Sequence, residues 1–270
     1  MAKMTGQAEN KDKKSWSDFV STFPSGWLFG RGRLEWPMID ENLKSDKNMS
    51  YQENCQSLIR SLRRLRVVPV LLPHDLDLGL KLCETLLDCG LPAAEITFRS
   101  SVAETLLRAA ATRFPELCLG AGTILNQTDL QRAFEAGAAF AVAPGLNTKV
   151  LQYAVDKALP FAPGVCTPSE LELACQAGCR LLKFYPAEAC GGLPMLKALI
   201  APYAHLGLHF MPTGGIDGGN LAAYLSLKEV AAVGGTWLGK TADLEEGNWN
   251  KIRLGVRETL DTIRQTQKTV

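Results

Sequence analysis

The chain of 270 residues carries 29 lysines and arginines against 28 aspartates and glutamates, which leaves a formal net charge of +1. This balance argues against a protein that binds nucleic acid through a basic surface. With 46% hydrophobic residues the chain can bury a large core, yet its apolar runs fall short of the roughly 20 residues that a membrane helix needs.

Residues 1–48 have an irregular pattern that differs from the rest of the chain. They begin with a lysine-rich stretch and hold three of the five tryptophans, Trp16, Trp27 and Trp36. Aromatic side chains beside glycine and arginine are typical of surfaces that dock on other proteins. We expect an N-terminal extension that docks on its own oligomer. A separate partner, or a segment folded back on its own domain, remains an alternative.

From Tyr51 onward, short apolar runs typical of strands alternate with segments whose apolar residues recur every 3.6 residues. The pattern predicts a helix over 51–64 and then eight strands, at 67–72, 93–98, 118–122, 139–144, 160–165, 181–186, 209–213 and 230–237. It predicts a helix after each strand, at 75–89, 101–114, 127–137, 147–157, 168–178, 190–204, 217–226 and 246–266.

Eight strands that are each followed by a helix indicate an α/β fold, the (β/α)8 or TIM barrel. We predict this barrel over residues 49–270, after the extension of residues 1–48. A doubly wound open sheet is the alternative, but it usually has fewer strands. In a barrel the functional residues lie at the C-terminal ends of the strands, so candidates are expected there.

The second predicted strand carries polar residues at alternate positions, Glu95, Thr97 and Arg99. Alternation places them on one face of the strand, with apolar residues on the other face. Because the outer face of a barrel strand packs against helices, these side chains are predicted to point into the barrel mouth. The alternative is a purely structural Glu–Arg ion pair, although buried ion pairs are poor stabilisers.

A lysine, Lys183, interrupts the apolar sixth strand. Lysine is rarely buried in such a run, and burial disfavours the ammonium form. The neutral amine that results can attack a carbonyl carbon. The alternative is a lysine whose ammonium group reaches the rim of the barrel. Tyr185 lies on the same face of the strand, where it could form a wall of a substrate site.

Glycine-rich segments end the seventh and eighth strands, at residues 213–216 (TGGI) and 234–236 (GGT). In a TIM barrel the loops after these two strands commonly bind phosphate, because exposed backbone N–H groups can approach the anion. One such segment alone is equally typical of a turn, whereas the two together favour a phosphate site. Thr123, at the end of the third strand, could bond a substrate carboxylate.

The eight cysteines are irregularly spaced and form no Cys-X-X-Cys pair, and the polar start of the chain resembles no signal peptide. We therefore expect a reduced, cytoplasmic protein. His205 and His209 have the i, i+4 spacing of a helical metal-ligand pair, but Gly207 lies between them. We expect no metal site.

Six segments follow one another in a set order along residues 51–268. They are Glu-Ile-Thr-Phe-Arg (95–99), Gly-Ala-Gly-Thr (120–123), Pro-Gly (144–145), Lys-Phe-Tyr-Pro-Ala-Glu (183–188), Pro-Thr-Gly-Gly-Ile (212–216) and Gly-Gly-Thr-Trp (234–237). Together they resemble the family of 2-keto-3-deoxy-6-phosphogluconate (KDPG) and 4-hydroxy-2-oxoglutarate (KHG) aldolases. The resemblance implies a class I, Schiff-base aldolase on a (β/α)8 barrel, usually a homotrimer, without metal or other cofactor. The implied partner is a small keto-acid sugar phosphate, with no nucleic acid and no membrane.

Carried over position by position, the resemblance implies that Lys183 forms the imine and that Glu95 is the general acid and base. It implies that Arg99 and Thr123 hold the pyruvate carboxylate. The further substrate-binding positions that it implies are Tyr185, Thr213, Gly214, Gly215, Gly235 and Thr236. Thr236 stands where serine is often found and Tyr185 where phenylalanine is common, and both departures bear on substrate choice. Residues 1–48 have no counterpart in the family.

The implied reaction cleaves KDPG to pyruvate and glyceraldehyde 3-phosphate. The amine of Lys183 attacks the C2 ketone, and the iminium that forms accepts electrons as the C3–C4 bond breaks. Glu95, directly or through a water, removes the proton of the C4 hydroxyl. KHG or 2-keto-3-deoxy-6-phosphogalactonate is the alternative substrate. A second alternative adds a role as an assembly scaffold through residues 1–48.

Overall fold

A computed structural model describes residues 49–72 and 74–268 of the protein. The predicted N-terminal extension, residues 1–48, lies outside the described residues. The first described helix, α1 (Tyr51–Leu65), begins with a capping box. The Ser50 hydroxyl accepts from the Glu53 backbone N–H, and the Glu53 carboxylate accepts from the Ser50 N–H at 2.8 Å. This reciprocal bonding satisfies N–H groups that have no partner within the helix.

Strands and helices alternate after α1. In the described part of the chain the strands are β1 (Val67–Leu71), β2 (Ala93–Thr97), β3 (Cys118–Gly122), β4 (Phe140–Val142), β5 (Phe161–Ala162), β6 (Gly164–Val165), β7 (Leu181–Phe184), β8 (His209–Phe210) and β9 (Val233–Gly235). The further helices are α2 (Leu76–Asp88), α3 (Ala103–Arg113), α4 (Gln127–Glu135), α5 (Thr148–Asp156), α6 (Pro168–Gln176), α7 (Gly192–Ile200), α8 (Leu221–Leu225), α9 (Thr241–Glu245) and α10 (Trp249–Gln267). A 3₁₀ helix over Ala201–Leu206 continues α7.

All strand ladders are parallel, and they form one sheet of order β5-β4-β3-β2-β1-β9 and another of order β6-β7-β8. The predicted strand 160–165 is split into β5 and β6 at Pro163, which has no N–H group to donate to a ladder. The predicted α/β class is confirmed, as a curled parallel sheet with helices between its strands. The closed barrel that the sequence predicted is not formed by the ladders. The strands lie in two sheets with no ladder between β5 and β6, and β8 and the β9 segment are joined only by isolated bridges, at Phe210–Val230 and Thr213–Gly234.

One apolar cluster lies on the concave side of the curled sheet. It joins Leu58 and Leu62 of α1 to residues near the starts of the strands, among them Ala93 of β2 and Leu181 of β7. Side chains two positions apart share a face of a strand. Glu95 and Lys183 therefore lie on the same concave side, one layer closer to the C-terminal ends of the strands.

Several predicted helices differ from the structure at their ends. The helix predicted over 190–204 ends at Ile200 and passes into the 3₁₀ helix, whose first turn holds Pro202. The short helix α9 was not predicted from the sequence. Within residues 49–72 and 74–268, no helix is long and apolar enough to cross a lipid bilayer.

Candidate active site

The structure brings Lys183 of β7 and Glu95 of β2 together on the concave side of the sheet. The Lys183 Nζ lies 3.1 Å from Glu95 Oε1 and 3.2 Å from Oε2, so one ammonium donates to both carboxylate oxygens. Lys183 is 6% exposed and Glu95 is 1% exposed. Lys183 therefore does not extend to a solvent-exposed rim, and its amine is held beside a buried base.

A glycine provides the space for the Glu95 carboxylate. A Cβ atom at Gly122 of β3 would lie 2.1 Å from Glu95 Oε1 and 2.9 Å from Cγ2 of Val142. Such distances are too short for any real contact, so a side chain at Gly122 would displace the carboxylate from Lys183. Sequence reasoning missed this role of Gly122. The available signal was a glycine inside a predicted strand, which often marks the close approach of another group.

Thr97 and Arg99, predicted to share the face of Glu95, have different surroundings. Thr97 is buried, and its hydroxyl donates to the Leu71 carbonyl of β1 at 2.9 Å, so it ties β2 to β1. Arg99 lies beyond the end of β2, where its N–H donates to the Thr97 carbonyl at 2.8 Å. The strand was predicted to reach residue 98, and because it ends at Thr97 the alternation does not extend to Arg99.

Arg99 and Thr123 nevertheless follow neighbouring strand ends. Thr97 and Gly122 are paired across β2 and β3, so both residues lie just past the same edge of the sheet. Arg99 is exposed and Thr123 is half-buried. Among residues 49–72 and 74–268, the Arg99 guanidinium has no ion-pair partner. It is therefore available to an anion at that edge.

Tyr185 follows β7 and lies between the Lys183 amine and the glycine-rich segment 213–216. The Lys183 Nζ is 5.8 Å from the centroid of the Tyr185 ring, which is within the range of a cation–π contact. A Cβ atom at Gly214 would lie 3.4 Å from Cε2 of the same ring. The residue is 36% exposed, and the peptide bond to Pro186 is cis. The ring thus lies beside the amine, just past the end of β7, and its role as a wall of a substrate site stays a prediction.

In the segment 213–216, called the glycine loop below, the first three carbonyl groups accept hydrogen bonds from the protein. The Thr213 carbonyl accepts from Ala187 N at 2.9 Å and the Gly214 carbonyl accepts from Glu188 N at 3.0 Å. The Gly215 carbonyl accepts from Asn220 Nδ2 at 3.2 Å.

Three backbone N–H groups of the glycine loop, in contrast, have no hydrogen-bond acceptor within the described residues. They are those of Gly214, Gly215 and Ile216. Both glycines have positive φ, +104° and +78°. Successive N–H groups beside residues of positive φ form a concavity that suits an anion.

Gly235 and Thr236 lie close to the glycine loop. Thr213 pairs with Gly234 through an isolated bridge, so the end of β9 neighbours the start of the loop. A Cβ atom at Gly235 would lie 1.9 Å from the Trp237 ring and 3.2 Å from the Ile216 carbonyl oxygen. Gly235 is buried and Thr236 is exposed. The two predicted phosphate segments are therefore adjacent.

Other groups that the sequence singled out lie apart from this arrangement. All eight cysteines are free thiols. His205 is exposed and His209 is half-buried. In the described residues, no three His, Cys, Asp or Glu side chains are grouped so that they could hold a metal ion.

Comparisons with known proteins agree on one family. The family model for KDPG and KHG aldolase matches residues 58–254. The chain is 41% identical over 216 residues to the 2-dehydro-3-deoxy-phosphogluconate aldolase of Haemophilus influenzae, covering 80% of this chain and 100% of that protein. It is 39% identical over 195 residues to the KHG/KDPG aldolase of Escherichia coli K12, covering 72% of this chain and 91% of that protein.

A solved structure extends the similarity to the fold. The KDPG aldolase of Legionella pneumophila, with pyruvate captured at low pH as a covalent carbinolamine intermediate, superposes with a TM-score of 0.70 at 34% identity. The match covers 73% of this chain and 96% of the Legionella chain.

Proposed function

Because the chain belongs to the KDPG and KHG aldolase family, we propose that it is a class I aldolase that cleaves KDPG to pyruvate and glyceraldehyde 3-phosphate. The observation that carries this proposal is the Lys183 amine, buried and 3.1 Å from the Glu95 carboxylate. A lysine nucleophile beside a base is the arrangement that Schiff-base chemistry requires.

Lys183 and Glu95 divide the covalent chemistry between them. Glu95 takes a proton from the Lys183 ammonium, and the neutral amine attacks the C2 ketone of the substrate. Glu95 returns that proton to the carbinolamine hydroxyl, which leaves as water and gives an iminium, so Glu95 is a carboxylate again. Glu95 then removes the proton of the C4 hydroxyl, and the C3–C4 bonding electrons move into the iminium. Glyceraldehyde 3-phosphate leaves, the enamine is protonated at C3, and hydrolysis releases pyruvate and restores the lysine.

The two ends of the substrate are held by different groups. Arg99 and Thr123 bind the C1 carboxylate, which keeps the C2 carbon over the amine. Their position past the paired ends of β2 and β3 supports this role. The Tyr185 ring walls the reacting carbons, which its 5.8 Å separation from Nζ supports.

The phosphate is bound by the glycine loop together with Gly235 and Thr236. Support comes from the N–H groups of Gly214, Gly215 and Ile216, which have no acceptor among the described residues, while the carbonyls of both glycines accept hydrogen bonds from the protein. Thr213 is buried at the start of the loop, directly before its first glycine. No metal or other cofactor takes part in this scheme.

We also propose the barrel architecture, the oligomeric state and the cellular compartment of the protein. The strands and helices follow the order of a (β/α)8 barrel whose ladder is interrupted, and between the β8 and β9 segments Gly234 N donates to the Pro212 carbonyl at 2.9 Å and Ala231 N to the Phe210 carbonyl at 2.9 Å. Residues 1–48 form an extension to the barrel domain of residues 49–270. The assignments to a cytoplasmic homotrimer and to the Entner–Doudoroff breakdown of sugar acids rest on family resemblance.

Side-by-side rates on KDPG, 2-keto-3-deoxy-6-phosphogalactonate and KHG test the proposed function. Pyruvate release is followed with lactate dehydrogenase and NADH, with Lys183→Met as the inactive control. We expect the highest kcat/KM for KDPG. A highest value for KHG, which lacks a phosphate, would refute the phosphate assignment. A folded protein that cleaves none of the three would refute the aldolase assignment.

A further inference from the structure

We propose that Tyr224 and Glu188 are positioning residues that hold the glycine loop in its anion-binding shape and so set the preference for phosphorylated substrates. Neither residue is among the groups assigned to the chemistry or to the substrate. The inference rests on the proposed function, because it concerns how the phosphate is bound.

Tyr224 is a buried residue whose hydroxyl bonds to Glu188, the neighbour of the loop. It lies in α8 and is 1% exposed, yet its phenolic O–H donates a short hydrogen bond to Glu188 Oε1. Burial, together with the neighbouring Glu188 carboxylate, raises the pKa of Tyr224 above its usual value. The phenol therefore stays protonated and remains a donor to the carboxylate.

Glu188 connects Tyr224 to the loop. Its N–H donates to the Gly214 carbonyl at 3.0 Å, and a Cβ atom at Gly215 would lie 2.7 Å from Glu188 Cβ. The side-chain stem of Glu188 thus packs directly against the Gly215 backbone. A displacement of Glu188 would therefore disturb the Gly214 carbonyl and the Gly215 backbone.

The turn before α7 fixes Glu188 from its other side. The Glu188 carbonyl accepts from Gly191 N at 3.2 Å. Gly192 has a φ of +63°, and a Cβ atom there would lie 3.2 Å from Glu188 Oε1 and 3.6 Å from the Tyr224 hydroxyl oxygen. The glutamate is therefore held by its backbone on one side and by Tyr224 on the other.

These contacts matter for an anion because the N–H and the C=O of a peptide group point in opposite directions, and only the N–H attracts an anion. While Glu188 N holds the Gly214 carbonyl, the adjoining N–H groups are left for the ligand. If Glu188 is released, the Gly214 carbonyl can rotate toward the ligand and repel a phosphate. KHG offers this loop no phosphate, so we expect its kinetic constants to be unaffected.

The test compares Tyr224→Phe with Tyr203→Phe. Phenylalanine keeps the buried ring of residue 224 and removes only its hydroxyl. Tyr203 is the matched control, because its O–H also donates to a glutamate, Glu172, at 2.6 Å, and neither residue takes part in the glycine loop. KM and kcat are measured on KDPG and KHG, with inorganic phosphate as a competitive inhibitor of KDPG cleavage.

We expect Tyr224→Phe to raise the KM for KDPG and the inhibition constant of phosphate by about tenfold, the loss of one hydrogen bond to a charged acceptor. The kinetic constants for KHG and those of Tyr203→Phe should match wild type. Equal effects on both substrates, or unchanged phosphate inhibition, would overturn the proposal.

Glu188 variants keep the inference testable if Tyr224→Phe does not fold. Glu188 is exposed, so Glu188→Ala removes no buried apolar side chain, and it should reproduce the rise in KM for KDPG. Glu188→Gln retains an acceptor for the Tyr224 hydroxyl and should reverse most of that rise. A glutamine variant as impaired as the alanine variant would overturn the positioning role. Failure of wild type to cleave KDPG would instead refute the proposed function, whatever the variants do.

Discussion

The ammonium of Lys183 donates to both carboxylate oxygens of Glu95, at 3.1 Å and 3.2 Å, where both side chains are buried on the concave side of the sheet. Taking two charges out of water costs more free energy than their attraction commonly returns. A pair of this kind is therefore a poor device for stability. Its placement is better explained by proton transfer between an amine and a base.

The glutamate of this pair can be tested by an isosteric change. We expect Glu95→Gln to lower kcat by about 10²- to 10⁴-fold, because the amide cannot accept the proton of the C4 hydroxyl. Steady-state kinetics on KDPG measures the effect, with circular dichroism to verify folding. Glu84→Gln, which alters an exposed ion pair with Arg113, is the control and should keep wild-type kcat. A Glu95→Gln enzyme with wild-type kcat would show that Glu95 is not the base.

The space beside Glu95 gives a second prediction. Gly122→Ala introduces a methyl group where the Glu95 carboxylate lies, so the carboxylate must move away from Lys183. We expect kcat to fall at least about tenfold, because a catalytic group that is displaced by about 1 Å loses much of its effect on the rate. Gly145→Ala is the matched control, because a Cβ atom there has no heavy atom within 4 Å. Equal activity of the two variants would contradict the role given to Gly122.

Burial predicts which thiols are unreactive. It raises the pKa of Cys55, Cys83 and Cys118 to about 12 and that of Cys179 to about 11. Because the thiolate is the reactive form, these four should not react with Ellman's reagent in the native protein. Unfolding in guanidinium should release all eight thiols. Fewer than eight in the unfolded chain, or rapid native reaction of these four, would contradict the structure.

His209 predicts a dependence of stability on pH. Burial, with a smaller contribution from the charge of Arg63, lowers the pKa of His209 below its ordinary 6.5, while Glu229 opposes the shift. Its Nδ1 is buried without a hydrogen-bond partner among the described residues. The unfolded chain therefore binds more protons just below pH 6.5, and the free energy of unfolding falls as the pH is lowered through this range.

Urea unfolding at about pH 7.5 and about pH 5.5 measures this effect. His209→Gln should lose less stability between the two values than wild type does. The exposed His205 gives the control, and His205→Gln should follow wild type. An identical pH dependence in His209→Gln and wild type would show that His209 does not contribute.

Much of the fold follows from local pattern. Strand β3 has the predicted bounds, residues 118–122, because a short apolar run ends in glycine there. Strand ends were less predictable, since apolar residues continue past the last ladder pair. This explains why the strand predicted over 181–186 ends at Phe184, and why Arg99 lies beyond β2.

The site could be predicted where one residue type is anomalous in its setting. A lysine in an apolar strand and a glutamate in another pointed to Lys183 and Glu95, and the structure brings them together. Tyr224 could not be found in this way, because a tyrosine in an apolar helix is ordinary and its partner lies 36 residues away in sequence. Pairs of that kind depend on tertiary packing.

The most direct test of the central claim, that Lys183 forms the imine, is reduction with borohydride in the presence of pyruvate, followed by mass mapping of the peptides. We expect a reduced pyruvyl adduct on Lys183, none on the exposed Lys197 and none in the Lys183→Met variant. An unmodified Lys183 in folded protein, or an adduct confined to another lysine, would contradict it.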